Sequence, residues 1–298
     1  MSIVNNTQAV PNRVFSVYAA VADTENGVLR DQLAAWATPP SLSTRGGDDE
    51  EGGSSALFTN SLNEARRLGL IEEEGDKLRV PDAARGAGGR GADREADFLA
   101  YLRATLFDPE RAARVGQGGV LTALAWFLTR SPLEPLSFSA EPKEMLRRDL
   151  GDSEVRAELG NRSAYQNLLY WARYLGFASI VGEAGTRRAF PDPLRAIAAV
   201  IGRVLPDASW LEIDLFLARL AVIYPVLEGG SVRAEVEAMR TAAPSADDRL
   251  SVATSLALQR LADRGAITLE AVADAKSRIL DFGMSTRRVS RVRLGVAA

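Results

Sequence analysis

Apolar residues recur at three- and four-residue spacing over about 12–22 and 28–36, and the period predicts two amphipathic helices. The same spacing returns over about 117–130 and 142–149, and again over about 209–224 and 231–240. A third apolar-periodic stretch follows each pair, and two of these stretches repeat one pattern. Phe58, Asn60, Leu62, Ala65, Arg66, Leu68 and Gly69 fall at the same places as Tyr165, Asn167, Leu169, Ala172, Arg173, Leu175 and Gly176. Six identities and one aromatic exchange within twelve positions point to two copies of one helix. A fainter third copy runs from Leu258 through Leu261 to Gly265, keeping the apolar period and the glycine but not the asparagine.

Each glycine stands where a helix ends and a residue with positive φ is wanted. A short apolar stretch, a turn and a second extended piece come next. In the first copy these are Leu70 and Ile71, then Glu74 to Asp76, then Lys77–Val80. In the second they are Phe177–Val181, Gly182–Gly185 and Thr186–Phe190; in the third, Ala266–Leu269, a 270–276 insertion and Ser277–Phe282. Helix, link, helix, helix and hairpin, three times over, resembles the winged helix-turn-helix superfamily. The expected fold is mainly α: three consecutive winged-helix-like modules with small β-hairpin wings. Module one covers residues 1–81 and a Gly/Ala/Arg linker and helix cover 82–114. Module two covers 115–193, and module three, with a basic tail, covers 194–298. Residues 38–53 read as a polar insertion before the first repeat helix, and 82–92 as linker.

Composition removes whole classes of chemistry. The 298 residues are 46% apolar and 25% charged, enough ordinary globular chain for two or three domains. There is no histidine and no cysteine. Ser-His-Asp and Cys-His nucleophiles, imidazole bases, disulfides and zinc sites built on these ligands are thereby excluded. Any metal would need an all-oxygen Mg²⁺ or Ca²⁺ site. The acids cluster at Asp48–Glu51, Glu72–Glu74, Asp207 with Glu212 and Asp214, and Asp247–Asp248, and each cluster has a structural reading as loop, wing or helix start. Gly86, Gly88 and Gly91 satisfy G-x-G-x-x-G, but no parallel strand precedes them and no βαβ pattern follows, so they read as linker. The expectation is a non-enzymatic protein with no cofactor and no metal, an Mg²⁺-dependent enzyme remaining the distant alternative.

Charge adds direction. The net charge is −3, with three lysines and 33 arginines among the cations. Residues 1–85 hold 8 cations against 13 acids, and residues 231–298 hold 11 against 8. Arginine suits phosphate and base edges, although GC-rich codon usage produces the same excess. The last stretch, with Arg287, Arg288, Arg291 and Arg293, reads as a basic tail. The longest apolar run, Val120 to Leu128, is too short to span a bilayer. Val14–Ala22 ends like a signal-peptidase site but lacks a leucine-rich h-region, so a first helix and a cytoplasmic location are expected. Trp126, Phe127, Trp171, Trp210 and Phe216 lie at helical spacing and read as core.

At about 100° per residue, Leu57, Phe58, Ser61, Leu62, Ala65 and Leu68 form the inner stripe of the first repeat helix. Its outer face carries Asn60, Asn63, Arg66 and Arg67; the second copy presents Gln166, Asn167, Tyr170 and Arg173. Asn and Gln can read adenine, Arg can read guanine, and Tyr can reach phosphate. Arg187 and Arg188 would add phosphate contacts from the second wing. The first wing, with Glu72, Glu73, Glu74 and Asp76, is acidic. The third copy, with Leu256 and Asp263 outward, suits docking rather than reading. Two functions are therefore expected as alternatives. One is a DNA-binding subunit or regulator with module two as principal reader of double-stranded DNA. The other is an interaction scaffold whose modules bind a partner or a second copy without touching DNA. Asn60 and Asn167 can also recur for purely local structural reasons.

A chain of this length, opening with a helix after a short polar lead and built from degenerate winged modules, resembles DpdG-type proteins. That resemblance implies a place in bacterial gene clusters that insert deazaguanine bases into DNA and restrict foreign DNA. Other proteins of such an anti-phage system are then the expected partners.

Overall fold

In the computed structural model the described residues are 2–37, 50–86, 93–241 and 248–295. The chain forms two compact units, one of Met1–Leu106 with Glu110–Gln117, the other of Phe107–Pro109 with Gly118–Ala298. Both are mainly helical, with small antiparallel sheets of two or three strands.

The first unit opens with α1 (Pro11–Ala22), where Pro11 fixes the first turn and needs no helical donor. Val14, Val17, Tyr18 and Val21 form its buried stripe. Tyr18 packs on Phe98 at 5.3 Å between ring centroids and donates its hydroxyl to the Ala84 carbonyl at 2.7 Å. Burial, with Asp97 nearby, raises the Tyr18 pKa above its ordinary value and keeps that donor protonated. Next come β1 (Val28–Leu29), α2 (Arg30–Ala37), α3 (Glu50–Arg67), β2 (Glu72–Glu74) and β3 (Lys77–Arg79). The sheet order is β1-β3-β2, with Val28 opposite Leu78 on the buried face. Helices α4 (Arg94–Leu106) and α5 (Pro109–Arg114) complete the unit. Helix α3 starts at Glu50, so residues 50–53, expected in the polar insertion, are helical. The rest of that insertion, 38–49, and residues 87–92 of the glycine linker lie outside the described residues.

The second unit repeats this order. Helix α6 (Gly118–Thr129) is buried along nearly its whole length and leads to β4 (Leu136–Ser137), α7 (Pro142–Leu150), α8 (Arg162–Leu175), β5 (Ala178–Val181) and β6 (Arg188–Pro191). The sheet order is β4-β6-β5, again with the short leading strand on the last. Asn161 caps α8 by accepting from Ala164 N at 2.9 Å. Gly176 ends the helix at φ 95°, as Gly69 ends α3 at φ 74° and Gly265 the third copy at φ 71°.

The third copy departs from the expected frame. Its leading helix is α9 (Leu194–Val204), followed by β7 (Leu211–Glu212) and α10 (Ile213–Ile223). Residues 209–212 were expected in a helix and instead reach β7; Asp207, expected at a helix start, closes a turn by accepting from Ser209 N at 2.8 Å. Helix α11 (Ser231–Met239) forms where the 231–240 helix was expected, before α12 (Val252–Asp263). Strand β8 (Ile267–Glu270) does not pair with 277–282 as expected. It pairs with β11 (Arg291–Leu294), and β7 completes the order β7-β11-β8. Register explains the choice: Val292 meets Leu269 with both side chains buried. The stretch 277–282 supplies β9 (Arg278–Asp281), which turns back on β10 (Thr286–Val289) as an inserted hairpin. The expected basic tail is thus folded into two strands. Phe107, Phe177 and Tyr224 pack at 5.0 to 5.2 Å in the core of this unit.

Candidate nucleic-acid interface

Helix α8 buries eight of its fourteen residues, Trp171 and Leu169 among them, which leaves a narrow open strip. Gln166 and Tyr170 are half-buried on that strip and Arg173 is exposed. Asn167, expected outward with them, is only 2% exposed and belongs to the core side. The helix is buried over more than half its circumference, so a two-faced wheel placed the boundary about one residue too far round.

Phe138 joins the strip to the hairpin. Its ring meets Tyr170 edge-on at 5.3 Å, and the Arg187 guanidinium lies over it at 5.8 Å. The Phe138 N–H also donates to the Arg187 carbonyl at 3.0 Å. Arg188 is exposed one residue on, opposite Ser137. The Arg173 guanidinium makes no ion pair or hydrogen bond among the described residues. Lys143 and Arg147, which the sequence reading did not single out, are exposed on α7, the helix before. Phe138 was also missed. Its only signal was a lone aromatic in an extended piece between Pro135 and Pro142.

The equivalent face of α3 is occupied from within. Asn60 Nδ2 donates to Gln8 Oε1, and the Asn60 carbonyl accepts from Asn6 at 3.3 Å. Arg66 pairs with Glu73 at 2.7 Å, and Arg67 pairs with Glu64 at 2.6 Å. Glu64 is 2% exposed and also accepts from Asn6 at 3.2 Å and from buried Gln117 at 3.4 Å. Gln117 in turn accepts from Ile3 N at 2.8 Å, so residues 3–8 are stitched to α3. Only Asn63 of the four expected contacts is exposed. Beside it, β2 presents Glu72, Glu73 and Glu74, all exposed.

Helix α12 is closed more completely. Ser255 is buried and accepts from Asp281 N at 2.9 Å; Gln259 bonds Asp263 and accepts from Arg287 at 2.9 Å. Arg260 holds Asp192 at 3.0 Å. The remaining arginines of the expected tail are also engaged. Arg288 reaches Ser277, and Arg291 binds Glu270 at 2.8 Å. Arg291 and Arg293 both lie over the Trp210 ring, at 4.5 and 4.6 Å. Trp210 is half-buried in this arginine stack, whereas Trp126, Phe127, Trp171 and Phe216 are core as expected.

Among the described residues no group of three or more acids is placed to hold a metal ion, and no helix is long and apolar enough to cross a membrane. The DpdG-like family model matches residues 1–275 of the chain. No curated protein and no solved structure matches. This family points to a role in a DNA-modification cluster, and so to work within a multi-protein system.

Proposed function

The chain belongs to the DpdG-like family, and on that premise we propose that it is a non-enzymatic DNA-binding subunit or regulator of its cluster. In this reading the 115–193 segment is a winged helix-turn-helix and α8 enters the major groove. Gln166 and Arg173 face base edges, while Tyr170, Arg187 and Arg188 bind the backbone. The supporting observation is the strip on α8, whose Tyr170 is tied to a basic hairpin through Phe138 and whose Arg173 guanidinium is unpaired among the described residues. Lys143 and Arg147 extend the positive surface. The chain as a whole is acidic, so affinity comes from this local patch and from partners rather than from long-range attraction.

The test is fluorescence anisotropy of a labelled 20-base-pair duplex as salt is raised. Binding that weakens steeply between 50 and 200 mM salt is expected, because released counterions carry the phosphate term. Failure to bind any duplex at low salt would discard this reading.

A second reading rests on the first unit, where α3 is closed and β2 is acidic. There the unit docks another protein of the cluster, and the chain serves as a scaffold. Co-purification with a protein encoded in the same cluster, abolished by Glu72→Lys with Glu74→Lys, is the expected outcome.

A further inference from the structure

The second unit holds a cavity of about 540 Å³ between the end of α6, helices α10 and α11, the start of α12 and strand β9. That size lies within the range of small-molecule sites, about 300–1,000 Å³. Five arginines line it: Arg130, Arg233, Arg240, Arg249 and Arg278. Four acids line it too, and each is already held. Asp214 is bound by Arg278 at 2.5 Å and by Lys276 at 2.7 Å. Asp281 is bound by Arg249 at 3.0 Å. Glu237 is bound by Arg233 at 2.5 Å, and Glu228 lies 3.8 Å from the same guanidinium.

Donors remain after this pairing. Arg233 is 4% exposed, and its Nη1 has no hydrogen-bond partner. Arg130 is bound to Asp149 at 2.8 Å through Nη1, while its Nε is buried without an acceptor. Arg240 is half-buried, and its guanidinium makes no ion pair or hydrogen bond among the described residues. Val252 also lines the cavity, in the first turn of α12, where a backbone N–H has no acceptor inside the helix. Buried donors left without acceptors are costly, and Arg130 and Arg233 share that deficit around one cavity, with half-buried Arg240 beside them.

We propose that this cavity binds a small phosphorylated anion. A phosphate group offers several oxygens to donors arriving from different directions and carries the charge that the spare guanidiniums lack. Among the described residues no aromatic side chain lines the cavity, so recognition rests on the phosphate and not on base stacking. The cavity lining includes no residue of the α8 strip, and the proposal does not depend on the DNA reading.

Calorimetry of the full chain with pyrophosphate in 50 mM salt tests it. Binding is expected, weakened at least tenfold by Arg240→Gln and unchanged by Arg203→Gln, an exposed arginine on α9 outside the cavity. Ala218→Phe, which fills the cavity from α10 and keeps every arginine, is expected to abolish binding. Absence of heat with pyrophosphate would overturn the proposal. So would an Arg240→Gln chain that binds as tightly as the original, equal weakening by Arg203→Gln, or equal affinity for succinate.

Discussion

Residues 58–69 and 165–176 follow one pattern, and the two helices built from them meet opposite surroundings. At the seventh position α3 has Glu64 and α8 has Trp171, and both side chains are buried. Glu64 collects donors from Asn6, Arg67 and Gln117, and these draw residues 3–8 across the helix. Trp171 fills its core with a large ring that is 1% exposed. At the ninth position Arg66 is taken by Glu73, whereas Arg173 is left to solvent. The lesson is that a shared helix pattern fixes which residues can point outward, while the distant segments that close over the helix decide whether they do.

Substitution at the seventh position should separate the two cases most strongly. Trp171→Ala is expected to cost about 4 kcal/mol, as buried Trp truncations do. Glu64→Ala should cost about 2 kcal/mol, by stranding buried donors while half-exposed Arg67 escapes to water. Urea unfolding of both variants measures the difference; equal losses would contradict it.

The terminal glycines give a similar contrast at smaller individual costs. A Cβ on Gly176 would lie 2.7 Å from the backbone N of Ala196, forcing α9 to move as well as straining a φ of 95°. A Cβ on Gly69 would meet the hydroxyl end of Tyr101, which can swing aside, leaving the left-handed strain alone. Gly176→Ala should therefore cost about 3 kcal/mol and Gly69→Ala about 1 kcal/mol. Melting curves that rank them in reverse would show that α9 is not held against the end of α8.

Smallest is the acid response of the second unit. Burial alone would raise the Glu228 pKa, but Arg233 and hydrogen bonds from Ser251 and Thr254 overcome it and hold it below the ordinary 4.5. A depressed folded value adds stability that is complete above 4.5 and fades as pH falls through the folded value. Glu228→Gln should lower the melting temperature at pH 7 and flatten its decline below pH 4.5. A parallel decline in both chains would remove this assignment.

Much of the architecture was legible in the sequence. The repeat, its terminal glycines and the mainly helical, small-sheet class all follow from local period and turn chemistry. Less local features were not. Asn167 is buried because α6 and the sheet wrap more of α8 than a helical wheel supposes. Strand β8 skips the nearest apolar stretch because Val292, not the 277–282 stretch, brings the side chain that matches Leu269. Pairing of Arg66, Arg67, Arg287 and Arg291 depends on partners seven to 28 positions away, or on a buried neighbour, and composition cannot distinguish a spent guanidinium from a free one. The strip on α8 was legible as chemistry; its tie to the hairpin through Phe138 was not.

In the proposed function α8 is an open reader and α3 a closed one. Duplex affinity at 50 mM salt, measured for Arg173→Ala with Arg187→Ala and for Arg66→Ala with Arg67→Ala, compares them directly. The first pair is expected to weaken binding at least tenfold and the second less than twofold, on a scale where about 1.4 kcal/mol is a factor of ten. Equal losses from the two pairs, or a greater loss from the second, would contradict it.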